Sequence, residues 1–269
     1  MTRFVDCGQA RIACEVTGSG PPLLLMHGAE ATRHMFAELL PHLSDHFCVI
    51  TYDQRDCGET ESPPEAATLG QLAEDAHQLL YGLGWARAHV FGSSLGGRVA
   101  QALAALHPGT VDRLVLGSTW ALPHALAELN PQGAQALAAL RAGLPRTAQE
   151  LATWFFPEPF LVERPALRDI FATVRPASER SRRRELAVAD RLDIDGSALQ
   201  APMLLLAGAL DQVVPPALTR DIALHRPGAE FVLLDGVGHA TTLQAPATVA
   251  EHLIRFLAPE THRPNPKES

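Results

Sequence analysis

The stretch Gly92-Ser93-Ser94-Leu95-Gly96 contains the spacing Gly-x-Ser-x-Gly, with Ser94 at its centre. A serine hydroxyl is a weak nucleophile near neutral pH. It attacks an acyl carbon only when a neighbouring base takes its proton and a third group orients that base. The pattern is short, and its setting makes it informative. An apolar run, "AHVF", feeds it and a helical pattern, "LGGRVAQALAAL", leaves it. In a strand–turn–helix of this kind the central residue stands at the tip of a sharply turned backbone, flanked by small residues because two backbones approach closely. The count from the glycines places Ser94 at the tip and Ser93 beside it.

The chain around this turn alternates between two periodicities. "ARIACEVTG", "PPLLLMHG", "HFCVITYD", "ARAHVFG" and "VDRLVLGST" read as strands, most of them apolar throughout. Between them, "TRHMFAELLPHLSD", "TLGQLAEDAHQLLYGLG" and "LGGRVAQALAALHP" have helical spacing; the second opens with Thr68 and Gln71 at capping-box distance. From about Trp120 to Leu199 no strand stands out. There "TAQELATWFF" has another capping-box start and "SERSRRRELAVADRL" is strongly basic. The alternation resumes with "APMLLLAGALD" and "AEFVLLDGVGH", and "TVAEHLIRFLA" is a last amphipathic helix. Such alternation predicts an α/β fold, with a mostly parallel central sheet covered by helices on both faces. The expected organisation is an α/β core at 1–119 and 199–258, a helical cap insertion at 120–198, and a polar, Pro-rich tail at 259–269.

Composition narrows the partners. The 269 residues carry a formal net charge of -8, so no electrostatic footprint for nucleic acid is present. No run of apolar residues is long enough to cross a membrane, and the N-terminus lacks the apolar core of a secretory signal. Cys7, Cys14, Cys48 and Cys57 form no C-x-x-C pair and read as reduced thiols of a cytoplasmic protein. Cys7 and Cys14 flank a turn, and no disulfide between them is expected.

Taken with the His27-Gly28 pair that ends an early strand, an Asp after a late strand and a His near the end, the elbow makes the chain similar to the α/β-hydrolase family. The resemblance extends over nearly the whole chain. It implies a triad in the order Ser, acid, His. Ser94 opens that order. Asp211 follows an apolar strand immediately and fits the acid position. Asp221 and Asp235 are rivals, and Asp235 lies too close to the His motif for the family's acid. His239, in "DGVGHAT", is the expected base. The resemblance also implies two backbone N–H donors for an oxyanion, from Leu95 and, after His27-Gly28, from Ala29. Glu30 departs from what that loop would favour, since a carboxylate beside a developing oxyanion is unfavourable; it is expected to point away or to serve a particular substrate.

"YDQRDCGETESPP" resembles the family's Asp-x-Arg-Gly-x-Gly-x-Ser stretch, with Asp56 in place of its first Gly and Thr60 in place of its Ser. Asp53 and Arg55 read as scaffold. The arginines of "RPASERSRRREL" could grip a substrate carboxylate, although runs of like charge are more often solvated.

A serine at the elbow sets the chain apart from the dehalogenases and epoxide hydrolases of this fold, which use Asp there. The expectation is a serine hydrolase acting on a small carboxylic ester or lactone, with water as co-substrate and no metal or cofactor. Trp120, Leu122, Trp154 and Phe155 are candidate substrate walls. The similarity is to small carboxylesterases, 3-oxoadipate enol-lactonases and cofactor-free haloperoxidases (perhydrolases). A carbon–carbon bond hydrolase with the same triad and a non-catalytic, hydrolase-like receptor are the alternatives.

Overall fold

The computed structural model describes residues 1–29, 31–172 and 179–258, the side chain of His225 excepted. Eight strands form one sheet in the order β1-β2-β4-β3-β5-β6-β7-β8. They are β1 (Arg3–Cys7), β2 (Ala10–Thr17), β3 (Pro22–Met26), β4 (Cys48–Tyr52), β5 (Ala88–Ser93), β6 (Val111–Gly117), β7 (Met203–Gly208) and β8 (Glu230–Leu234). β1 pairs antiparallel with β2, and β2 with β4; the five remaining pairings are parallel. Burial follows position in the sheet. Every residue of β5 and β7 is buried, whereas the edge strands β1 and β8 are largely open to solvent. This explains why the central strands read as unbroken apolar runs.

Each apolar run feeds two cores, because successive side chains on a strand point to opposite faces. Leu24, Val90 and Leu205 pack against the helices Leu69–Gly82 and Leu95–Leu106. Leu23, Leu25, Phe91, Leu204 and Leu206 pack on the other face, against Phe36, Leu39 and the helix Pro246–Leu257. The capping box at Thr68 forms as expected: Thr68 Oγ1 accepts the Gln71 amide N–H at 3.2 Å, and Gln71 Oε1 accepts the Thr68 N–H at 2.9 Å.

Two helical expectations need correcting. "TRHMFAELLPHLSD" is no single helix; it forms a 3-10 turn over Arg33–Phe36 and a short helix over Leu40–Leu43, with Pro41 in that helix's first turn. At Ala148–Phe155 the Thr147 side chain does not cap its own helix; its hydroxyl donates instead to the Leu140 carbonyl. The β1–β2 hairpin sets Cys7 opposite Ala10 and Cys14 opposite Arg3, and all four cysteines are free thiols.

Between β6 and β7 the described residues form helices, the longest being Pro131–Ala142, Ala148–Phe155 and Glu179–Ala189. They build a third apolar cluster from Leu137, Leu151, Phe156 and Leu161 that also takes in Trp120, Val213 and Val214 from the strand ends. Arg98 fastens this layer to the core. Its fully buried guanidinium donates to the carbonyls of Leu122 (2.6 Å), Asp190 (2.7 Å) and Val188 (3.2 Å), and lies 5.0 Å over the Trp120 ring. Burial lowers its pKa to about 10, with Asp190 opposing the shift. Among the described residues no helix is long and apolar enough to cross a membrane.

The elbow needs glycine on both sides. A Cβ on Gly92 would sit 2.2 Å from the Gly96 carbonyl oxygen, and a Cβ on Gly96 would sit 2.1 Å from that of Met26. Both obstacles are backbone, which cannot swing away. Gly96→Ala is expected to lower the free energy of unfolding by about 1–3 kcal/mol or more. Urea unfolding would show it, and an unchanged midpoint would mean that the helix does not press on β3.

Candidate active site

Ser94 follows β5 and precedes the helix Leu95–Leu106, with φ 55° and ψ −119°. It is one of three non-glycine residues with positive φ among those described. That conformation is costly for an L-residue and persists only where its surroundings hold it. Here the Ser94 N–H donates to the Gly117 carbonyl at 2.9 Å. The Ser94 carbonyl accepts the Gly97 N–H at 3.0 Å and the Thr119 hydroxyl at 2.7 Å. Ser93 is buried, at the end of β5, while Ser94 is half-exposed.

Asp211 and His239 come from the loops after β7 and β8. His239 Nδ1 lies 2.8 Å from Asp211 Oδ2. Asp211 Oδ1 accepts the backbone N–H groups of Val213 (2.9 Å) and Val214 (2.8 Å), so both carboxylate oxygens are engaged and the side chain is wholly buried. A carboxylate only accepts, so the Nδ1 facing it carries the proton and Nε2 keeps a free lone pair. Ser94 Oγ makes no hydrogen bond to His239 in this structure. Asp221 and Asp235 are exposed and do not pair with His239.

The His239 loop rests on the helical layer. The Phe155 carbonyl accepts the N–H groups of His239 (3.0 Å) and Ala240 (3.3 Å). The Phe155 ring meets the imidazole edge-to-face, centroids 5.5 Å apart. Gln244 Oε1 accepts the Gly238 N–H at 2.9 Å. The sequence offered Phe155 as a candidate wall but not as a support for the His239 loop, because a backbone acceptor leaves no residue signature, and it did not single out Gln244. Of the other candidate walls, Trp120 and Leu122 are buried, at 1% and 2% exposure, and the Trp120 indole donates to the His124 carbonyl. Both pack into apolar clusters. Trp154 is half-buried at the edge of the helical cluster.

On the opposite side of Ser94 lies the loop after β3. A Cβ on Gly28 would come within 3.9 Å of Ser94 Oγ, so this loop abuts the serine. Among the described residues, the amide N–H groups of Ala29 and Leu95 have no acceptor. Glu30 lies outside the described residues. The loop is held by His27, which is fully buried. Its Nε2 accepts the Gln54 N–H at 3.0 Å, which assigns the proton to Nδ1, and Nδ1–H donates to the Gly28 carbonyl at 2.7 Å. The Gln54 side chain returns a bond to the His27 carbonyl at 2.6 Å. Burial lowers the His27 pKa to about 4, against the opposing pull of its bond to Gly28.

Asp53 and Arg55 are scaffold with separate partners. Asp53 pairs with buried Arg33, which also reaches Glu59, and Arg55 forms a two-bond pair with Asp75 at 2.5 and 2.8 Å. Arg33 was not legible as a partner, because in sequence it is one more charged residue in a helical pattern. The basic helix Glu179–Ala189 is solvated on one side, where Arg182 and Glu185 are exposed, and docked on the other: Arg183 pairs with Asp56, and Arg180 and Arg184 donate to carbonyls of the 56–60 loop. A narrow cleft runs between this helix and Gly28, Ala29 and Leu95. Among the described residues no group of three or more His, Cys, Asp or Glu could hold a metal ion.

A strained serine between β5 and its helix, with an Asp–His pair on later loops of a mostly parallel sheet, defines a hydrolase-type architecture. The sequence matches the alpha/beta hydrolase fold family over residues 21–163, and the chain belongs to that family. It is similar to the solved structure of a hydrolase from Pseudomonas aeruginosa PA01, with 31% identity, a TM-score of 0.81, and 96% of this chain and 98% of that chain covered. A thermophilic esterase from Thermogutta terrifontis is 27% identical, with a TM-score of 0.82 and coverage of 96% and 98%. A protein of Agrobacterium fabrum that bears the name "Putative carbamate hydrolase RutD" is 28% identical over 248 residues, 89% of this chain and 94% of the relative.

His27 is buried neutral, so its folded pKa lies below its unfolded value. The unfolded chain then binds more protons between about pH 6.5 and 4, and stability falls as pH drops through that window. Gln in place of His27 removes one such group. Urea unfolding of His27→Gln is expected to show a shallower loss of stability over this range than wild type. An equal slope would mean that His27 is not buried in neutral form.

Proposed function

We propose that the protein is a serine hydrolase that cleaves a small carboxylic ester or lactone through an acyl-enzyme on Ser94. The observation that carries this reading is the Asp211–His239 pair, which leaves Nε2 free on the loop after β8, at the same strand-end edge of the parallel sheet as the strained Ser94. His239 takes the Ser94 proton as Oγ attacks the acyl carbon. It then returns that proton to the leaving alcohol, or to the ring oxygen of a lactone. Water, deprotonated by the same imidazole, attacks the acyl-enzyme; collapse releases the acid as the imidazolium returns the proton to Ser94 Oγ. Asp211 holds the tautomer and stabilises the imidazolium. The oxyanion formed in both steps takes its hydrogen bonds from the Ala29 and Leu95 amides, whose lack of an acceptor among the described residues supports that role.

In this reading the helical layer between β6 and β7 is a cap over the strand ends. Phe155 is the candidate wall residue whose ring meets His239. The likeness to an esterase at 27% identity favours oxygen esters. The likeness to a protein named as a carbamate hydrolase makes a carbamate the second substrate class to test, since its acyl carbon would be attacked in the same way.

Turnover of p-nitrophenyl acetate tests the reading. Ser94→Ala is expected to lower kcat by about a thousandfold or more, while Ser93→Ala stays within about tenfold of wild type. No turnover by wild type, or loss of activity in Ser93→Ala alone, would overturn the assignment. Asp211→Asn is expected to lower kcat by roughly ten-thousandfold, because the Asn amide can present N–H to Nδ1 and drive the proton onto Nε2. Retained kcat in that variant would mean that the tautomer does not matter. A panel of acetate ester, small lactone and N-alkyl carbamate, compared by kcat/KM, would identify the preferred class.

A further inference from the structure

We propose that Asp56 is a positioning residue: through Arg183 it seats the helix Glu179–Ala189 over the Ala29–Leu95 side of the site and so sets how tightly substrate is held. The inference rests on the serine-hydrolase reading for its kinetic consequence.

Asp56 is an anomaly in two ways. It is a side-chain-bearing residue at φ 63°, where glycine would be free of strain, and it is 3% exposed. A buried carboxylate in a disfavoured conformation needs a compensating partner. That partner comes from the helical layer, far along the chain. Arg183 Nε and Nη2 both donate to Asp56 Oδ1, at 2.8 and 2.6 Å. Arg183 Nη1 continues to the Pro64 carbonyl at 3.1 Å. On the same helix, Arg184 donates to the Asp56 carbonyl and Arg180 to the Thr60 carbonyl at 3.0 Å. Three arginines on one face of this helix therefore clamp the loop that also carries Gln54, the residue holding His27 and with it the Gly28–Ala29 turn.

The clamp lies at the site. Asp56, Arg183 and Arg184 form the cleft together with Gly28, Ala29 and Leu95. No hydrogen bond or ion pair joins any of the three to Ser94 or His239; by seating the helix they place the wall that meets the non-reacting part of a bound substrate. A contact of that kind is felt equally in the ground and transition states, and its loss raises KM while leaving kcat in place.

The glycine and asparagine variants separate this role from a backbone role. Glycine relieves the strain at φ 63° and removes the carboxylate. Asparagine tolerates the conformation and keeps one acceptor for Arg183. If the position mattered only to the backbone, Asp56→Gly would be the best variant. The seating role makes it the worst. Kinetics on p-nitrophenyl esters and hydrogen exchange of the 179–189 segment, in the full-length protein, test this. Asp56→Gly and Arg183→Gln are each expected to raise KM by about five- to tenfold with kcat within about twofold. The double variant should be no worse than either single, Asp56→Asn should fall between, and exchange in 179–189 should accelerate in the same order. Unchanged KM and unchanged exchange in Asp56→Gly would overturn the proposal, as would a fall in kcat at constant KM. Absence of ester turnover in wild type would count against the hydrolase reading alone. The exchange order would then still decide whether Asp56 seats the helix.

Discussion

The helix that leaves β5 lies so close to β3 and β5 that no atom fits at Cβ of Gly92 or Gly96. This contact governs the geometry of the site. It ends β5 abruptly and leaves Ser94 as the residue that must reverse the chain, at φ 55°. It leaves the first amide of the helix, that of Leu95, with no backbone acceptor among the described residues. It also brings the end of β3 against the elbow, so that Gly28 lies beside the serine. Nucleophile and both oxyanion donors of the proposed mechanism are thus consequences of one close packing.

The rest of the molecule holds two loops against that fixed point. On one side, neutral His27 locks the Gly28–Ala29 turn to Gln54, and the Arg33–Asp53 pair ties the following turn to the same 53–60 loop. On the other, Asp211 accepts two backbone amides and orients His239, while the Phe155 carbonyl carries the His239 loop from above. The helical layer meets both loops, at Phe155 and at Asp56, and is itself fastened by the buried guanidinium of Arg98. In the proposed mechanism, substrate selection and placement of the base therefore depend on the same layer.

Much of this was legible in the sequence, for identifiable reasons. The central strands showed as apolar runs because both faces of the sheet are covered. The glycine spacing separated Ser94 from Ser93 because only the tip residue needs small neighbours on both sides. Asp211 and His239 stood out because each follows a strand end. What was not legible depends on contacts distant in sequence. The arginines of Glu179–Ala189 looked like a solvated run or a substrate grip; Arg182 is exposed, while Arg180, Arg183 and Arg184 donate to a loop about 120 residues earlier. Thr147 had the local spacing of a cap but found the Leu140 carbonyl instead. Trp120 and Leu122 read as pocket walls from their place after a strand, and tertiary packing buries them.

The central claim is that Ser94 is the nucleophile, activated by its surroundings. Incubation with a fluorophosphonate, followed by mass mapping of the adduct, tests it most directly, because the reagent reports an activated serine without regard to the natural substrate. The expected result is one adduct per chain, carried by Ser94 and lost in His239→Ala. An adduct on Ser93, or no adduct on a folded protein, would contradict the account.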